Sequence, residues 1–90
     1  MLRFTADAID HLINVRRQKG HDANALPRFV RRTERLALTF AQAPESGDRL
    51  VETPRVATLV ASSAKDLLDD TTIDVRTRSG RSVLVVRRAR

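Results

Sequence analysis

Residues 72–86 constrain the fold of this chain more than any other stretch. Ile73, Val75 and Thr77 alternate with Asp74, Arg76 and Arg78, and Ser79-Gly80 then offers a tight turn into Ser82-Val83-Leu84-Val85-Val86. Period-two alternation closed by a glycine-containing pair is the signature of a β-hairpin. Four consecutive apolar residues cannot all point to one face of a strand. The final strand is therefore either covered on both sides or partly exposed for a partner.

The start of the chain reads differently. Leu2 to Phe4 suits a short strand. Thr5 is placed as a helix N-cap, and Asp7 lies in the first turn, where negative charge suits the helix dipole. Ala8, Ile9, Leu12 and Ile13 fall on one stripe of a helix over residues 6–18, and Arg16, Arg17 and Lys19 gather at the end where cations are favoured. Gly20 supplies a left-handed stop.

Between these ends the chain is punctuated strand. His21 to Ala25 is a polar loop, and Leu26 to Arg32 is extended, with Pro27 at the strand start. Arg35 to Ala41 alternates Leu36, Leu38 and Phe40, so the short Thr33-Glu34 link makes these two strands a hairpin. The turn Ala43-Pro44-Glu45-Ser46-Gly47-Asp48 precedes a strand from Arg49 to Thr53, and Pro54 breaks the chain before a buried strand from Val56 to Val60. Ser63 and Asp66 have capping-box spacing, predicting a brief helix that carries Leu67 and Leu68 and stops at Asp69-Asp70.

Ninety residues support one core, so residues 1–90 are expected to form a single domain without an interdomain cleft. With 41% apolar and 31% charged residues the chain is globular in composition and is not a disordered basic tail. No stretch has the length of a signal peptide or a membrane span, and the expected setting is the cytoplasm, with no membrane partner. There are no cysteines, which removes disulfides, thiolate nucleophiles and cysteine-ligated zinc or clusters together.

The order strand, capped helix, loop, hairpin, acidic turn, strands, short helix and closing hairpin resembles the HesB/IscA-like (A-type iron–sulfur cluster biogenesis) family over nearly the whole chain. The local matches are Leu2-Arg3-Phe4-Thr5 with Ala8, the turn Ala43 to Asp48, and Leu67-Leu68-Asp69-Asp70-Thr71-Thr72-Ile73-Asp74. Their joint order and spacing are most similar to a short, cysteine-poor branch known chiefly from actinobacteria. The resemblance implies a mainly β fold with α (α+β): a twisted β-sandwich or barrel-like body, an N-terminal helix and one short second helix. Family members that carry iron or a cluster use a cysteine in the loop after the first core strand and a Cys-Gly-Cys element near the C-terminus. Here the corresponding loop is Arg31-Arg32-Thr33-Glu34 and the chain ends Arg87-Arg88-Ala89-Arg90, so no family ligand transfers to any position.

Other chemistry is sparse. His11 reads as a helix-flank histidine, and His21 beside Asp22 in a loop does not define a metal site without further ligands. Asp66, Asp69, Asp70 and Asp74 form the densest carboxylate cluster but lack EF-hand spacing, and read as a solvated helix end and turn. Gly20, Gly47 and Gly80 are isolated turn glycines, and no serine has the context of a nucleophile elbow. No metal, cofactor or catalytic residue is assigned, and the chain is expected not to be an enzyme.

The charge is the remaining feature. The net charge of +6 comes almost wholly from arginine, since Lys19 and Lys65 are the only lysines; a GC-rich genome produces such a bias as readily as a function does. Guanidinium groups pair well with phosphate and carboxylate. Arg76, Arg78, Arg81, Arg87 and Arg88 crowd the terminal hairpin and are the candidate polyanion-binding residues. Trp and Tyr are absent and the three phenylalanines look core-directed, so the aromatic platforms of single-strand binders are missing. The expected function is a non-catalytic interaction or accessory module with an unidentified protein partner, a homodimer being one candidate. The alternative is an arginine-rich nucleic-acid-binding module on the same scaffold.

Overall fold

The first residues set up both a helix and a sheet. In the computed structural model, which describes residues 2–88, Arg3–Phe4 forms a short strand, β1. Thr5 follows as the N-cap of helix α1, Ala6–Gln18. Its hydroxyl accepts from the Ala8 amide at 3.1 Å and donates to Asp74 Oδ1 at 2.9 Å, so one side chain starts the helix and holds it to a distant strand. At the other end Gly20 adopts a φ of +78°, and the amides of Gly20 and His21 donate back to the carbonyls of Arg17 and Arg16. This is a Schellman stop, which the left-handed freedom of glycine makes cheap. Ala8, Ile9 and Leu12 are buried, and Ile13 is half-buried.

The strands that follow are β2 (Leu26–Arg32), β3 (Arg35–Ala41), β4 (Arg49–Glu52) and β5 (Ala57–Val60), then β6 (Thr71–Arg78) and β7 (Arg81–Arg88). Thr33 and Glu34 both have positive φ, as do Ser79 and Gly80, so both hairpins close through the left-handed pairs that suit strand twist. The β4–β5 link is tied by Thr53, whose amide donates to the Val56 carbonyl at 3.1 Å and whose hydroxyl accepts from the Val56 amide at 3.2 Å.

Two sheets result, with strand orders β1-β6-β7 and β3-β2-β5-β4. β1 joins β6 in parallel and β2 joins β5 in parallel; the remaining pairs are antiparallel. The inner faces meet in one core cluster built on Ala8, Leu12, Phe29, Val60, Ala64, Leu68 and Ile73. Phe4 and Phe29 bridge the sheets, with ring centroids 5.9 Å apart and tilted by 41°. Phe29 is almost fully buried, and removing such a ring costs about 3–5 kcal/mol.

The fold is mainly β with two helices, as the sequence implies, and of the sandwich and barrel-like alternatives the open sheets take the first, with no closed barrel among the described residues. One local expectation is corrected: the capping box at Ser63 does not form. A 3-10 turn over Ser62–Ala64 precedes helix α2, Lys65–Leu68, whose N-cap is Ala64 without a side-chain bond. Ser63 Oγ instead accepts from the Arg31 amide at 3.2 Å, and the Ala61 amide donates to the Phe29 carbonyl at 2.9 Å. The serine closes the end of β2 because the chain leaving β5 runs beside it, and a long-range donor wins over the local one.

Thr33 is β-branched and holds a φ of +49°, a conformation that costs such a residue on the order of 1–2 kcal/mol. The Arg31–Glu34 ion pair beside it is 3.9 Å long with Glu34 88% exposed, and so adds little. Replacing the pair as Thr33→Asn with Glu34→Gly is therefore expected to stabilise the chain by about 1–2 kcal/mol in urea unfolding. No gain would mean that the link is held by something other than its backbone conformation.

Candidate functional site

Residues opposed across a ladder share a face, which sorts the side chains of the β1-β6-β7 sheet. The pairs Ile73–Val86 and Val75–Leu84 lie on the inner face, and Ile73, Val75 and Leu84 belong to the core. The outer face takes Thr72, Asp74, Arg76 and Arg78 from β6, with Arg87, Val85, Val83 and Arg81 opposite them on β7. Arg3, paired with Thr72, joins the same face. Arg76, Arg78, Arg81 and Arg87 are thus brought together on one exposed surface; Arg88, opposite Thr71, lies on the other side. The sequence singled out four of these outer arginines but missed Arg3, whose placement needs the parallel pairing of the chain's first strand.

Asp74 is the acidic residue on that face. Its Oδ1 accepts from Thr5 and, at 2.8 Å, from the Val75 amide, and its Oδ2 lies 3.2 Å from Arg87 Nη2. The Val75 amide and then the Thr5 hydroxyl hold its carboxyl below the usual carboxylate range against partial desolvation, with Arg87 and Arg76 adding to the effect. Arg87 is therefore partly engaged inside the protein, whereas no ion pair is seen for Arg76, Arg78 or Arg81 among the described residues.

Arg28 has the opposite fate. Its Nε and Nη2 donate to the two carboxylate oxygens of Asp48, each at 2.9 Å, and its Nη2 lies 3.6 Å from Glu45. The Asp48 side chain is shut off from solvent, and its Oδ2 also accepts from the Glu45 amide at 2.9 Å. This fork orders the 43–48 turn against β2, so Arg28 is structural.

The edges of the sheets matter as much as the faces. β7 ends its sheet, and no strand pairs with its outer side among the described residues. The large apolar side chains most open to solvent are Leu50 at 49%, Val86 at 38% and Val83 at 36%, two of them on this strand. Of the alternatives for Val83 to Val86, covered on both faces or left partly exposed, the structure shows the second.

A pocket of about 390 Å³ lies beside β4, lined by Leu2, Leu50, Val51, Val60 and Leu68 and by charged side chains from 49–52 and 65–69. Sequence reasoning missed it because its walls come from four separated parts of the chain, at residues 2, 49–52, 60 and 65–69. His21 stacks on Phe40 with ring centroids 4.5 Å apart, so this phenylalanine serves the 19–25 loop and lies outside the core cluster that holds Phe4 and Phe29. No three His, Cys, Asp or Glu side chains converge on a metal-sized site among the described residues. No helix among them is long and apolar enough to cross a membrane.

The fold has solved counterparts. SufA of Escherichia coli, involved in biosynthesis of iron–sulfur clusters, superposes with a TM-score of 0.78 at 17% identity, over 97% of this chain and 84% of SufA. IscA, solved with a [2Fe-2S] cluster, superposes with a TM-score of 0.73 at 17% identity, over 99% of this chain and 83% of IscA. No protein-family model and no curated protein sequence matches the chain. The architecture is HesB/IscA-like, carried on a chain without cysteine. The donor set does not fit a thiolate-held cluster: Arg31 and Arg32 end β2, Thr33 and Glu34 form its turn, and the sequence contains no cysteine to supply a thiolate.

The electrostatics fix the pH response. Burial lowers the pKa of His11 from its ordinary 6.5, and Arg28 lowers that of Asp48 from 3.8. In each case, as for Asp74, the folded state binds fewer protons than the unfolded chain. The associated stability is present above the unfolded pKa and lost as pH falls through the folded one. Urea unfolding should show a shallow loss of stability beginning near pH 6.5, which His11→Gln abolishes, and a steeper one below about pH 4, which Asp74→Asn reduces. A wild-type stability that stays flat from pH 7 to pH 3 would contradict both assignments.

Proposed function

We propose that this chain is a non-catalytic interaction or accessory module, related by its fold to iron–sulfur biogenesis proteins, that does not itself carry a cluster. The observation that carries the reading is the pairing of that fold with a sequence free of cysteine. The core explains why the architecture persists without metal: Phe4, Leu12, Phe29, Val60 and Ile73 join the sheets by packing alone. A fold kept without its coordination chemistry leaves its surfaces as the functional parts. The surface with the most unsatisfied capacity is the terminal hairpin, with its arginine-rich outer face and an unpaired edge.

Iron–sulfide reconstitution, aerobic and anaerobic, tests this reading. The expected result is no stable visible absorption after desalting. A visible-absorbing cluster at stoichiometric occupancy would overturn it, since oxygen and nitrogen donors would then be holding what thiolates hold elsewhere.

A second reading, an arginine-rich nucleic-acid-binding module, is favoured by one observation: Arg3, Arg76, Arg78, Arg81 and Arg87 share a face. Such a face would track a phosphate backbone with a salt-dependent affinity. It presents no aromatic side chain for base stacking, so any binding would be independent of sequence. Binding to duplex and single-stranded nucleic acid, measured against salt, separates the readings; none at low ionic strength removes the second.

A further inference from the structure

The outer edge of β7 combines two properties that rarely coincide. It is apolar in the middle, Val83 to Val86, and its ladder groups on the side away from β6 have no strand partner among the described residues. It is also strongly basic at both ends, through Arg81, Arg87 and Arg88. Exposed apolar edges are templates for strand addition, and charges placed on them repel further copies of the same strand. Antiparallel self-pairing centred on Leu84, which keeps each face continuous, would place Arg81 opposite Arg87, like charge on like charge. A second copy is thus the guest that this edge is built to reject, and a guest with carboxylates at those positions is the one it favours.

Other edges of the protein lack this combination. β4 is short and carries Arg49 and Glu52 together, and the apolar residues of β3 are partly covered. A phosphate backbone would satisfy the arginines but would leave Val83 and Val86 in water and the ladder groups of β7 unpaired. An extended peptide satisfies all three at once: main-chain hydrogen bonds to the edge, apolar side chains over the valines and carboxylates on the arginines.

We propose that the free edge of β7 captures an extended segment of a protein partner, apolar at its centre and acidic at its ends, as an added strand of the β1-β6-β7 sheet. The assignment rests on reading the chain as an interaction module and names the chemistry of its partner.

The probe is a synthetic peptide with Glu opposite Arg81, Arg87 and Arg88 and Val or Ile opposite Val83 to Val86, titrated into the full chain by fluorescence anisotropy. Binding is expected, with protection from hydrogen exchange confined to the β7 amides that point away from β6. Methylating alternate peptide nitrogens should abolish binding while keeping every side chain, because it removes the strand hydrogen bonds alone. Arg81→Glu, at a fully surface position, should weaken the acidic peptide about fivefold, and a peptide with Lys opposite that position should recover the loss. Three outcomes overturn the proposal: equal binding of a scrambled peptide of the same composition, binding of nucleic acid but not of the peptide, or a stable dimer of the free chain that protects these same amides. If the peptide fails while reconstitution also yields no cluster, only the partner assignment falls and the accessory role stands.

Discussion

The architecture depends on a junction between the two ends of the chain. β1 pairs in parallel with β6, and the Thr5 hydroxyl reaches Asp74, 69 residues away in sequence. Closing a loop of that length costs on the order of 4 kcal/mol in chain entropy, beyond a constant term. Two ladder positions cannot offset it, since a typical hydrogen bond contributes a net ~1 kcal/mol. Burial does so: Ile73 is fully enclosed and Phe4 packs on Phe29, and such side chains contribute about 1.5–3 kcal/mol each. Once the junction forms, α1 is capped against β6, the inner faces of the sheets are brought together, and the basic hairpin is fixed to the rest of the molecule by its inner side.

That junction also marks where the sequence is readable and where it is not. The hairpins at Thr33-Glu34 and Ser79-Gly80 were legible because alternation and turn chemistry are local, and the bounds of α1 followed from Thr5 and Gly20 for the same reason. The parallel pairings of β1 with β6 and β2 with β5 were not, because nothing in Arg3-Phe4 or Ala57 to Val60 encodes a partner. Ser63 shows the failure most clearly. Its spacing to Asp66 is that of a local cap, yet the Arg31 amide, delivered by a strand from elsewhere, takes the hydroxyl. The candidate surface divides likewise: the arginines of the hairpin could be read from period two, whereas Arg3 and the pocket beside β4 needed tertiary structure.

The arginines show that a composition bias has no single meaning. Arg28 is a structural clamp, its fork matched to both oxygens of Asp48 behind a solvent-free carboxylate. Arg55 pairs with Asp10 and joins the β4–β5 turn to α1. Arg87 is divided, touching Asp74 on one side while remaining half exposed on the other. A genome that favours arginine codons would supply all of these positions, but it would not by itself place Arg3, Arg76, Arg78, Arg81 and Arg87 on one face. What gathers them is the strand register, which sends every second residue of β6 outward while its neighbours are claimed by the core.

The same register limits what the hairpin can do. Because Ile73, Val75 and Leu84 must face inward to join Phe29 and Leu12, the sheet cannot slip by a residue without exposing the core and burying guanidinium groups. The register therefore fixes which arginines stand on the outer face. It likewise sets Val83 and Val86, both exposed, between the arginines at the two ends of β7. A thiolate-bound cluster gives a fold a function at one point in space. Without it, the capacity left over lies along a strand, where backbone groups, valines and arginines are presented together in one fixed spacing.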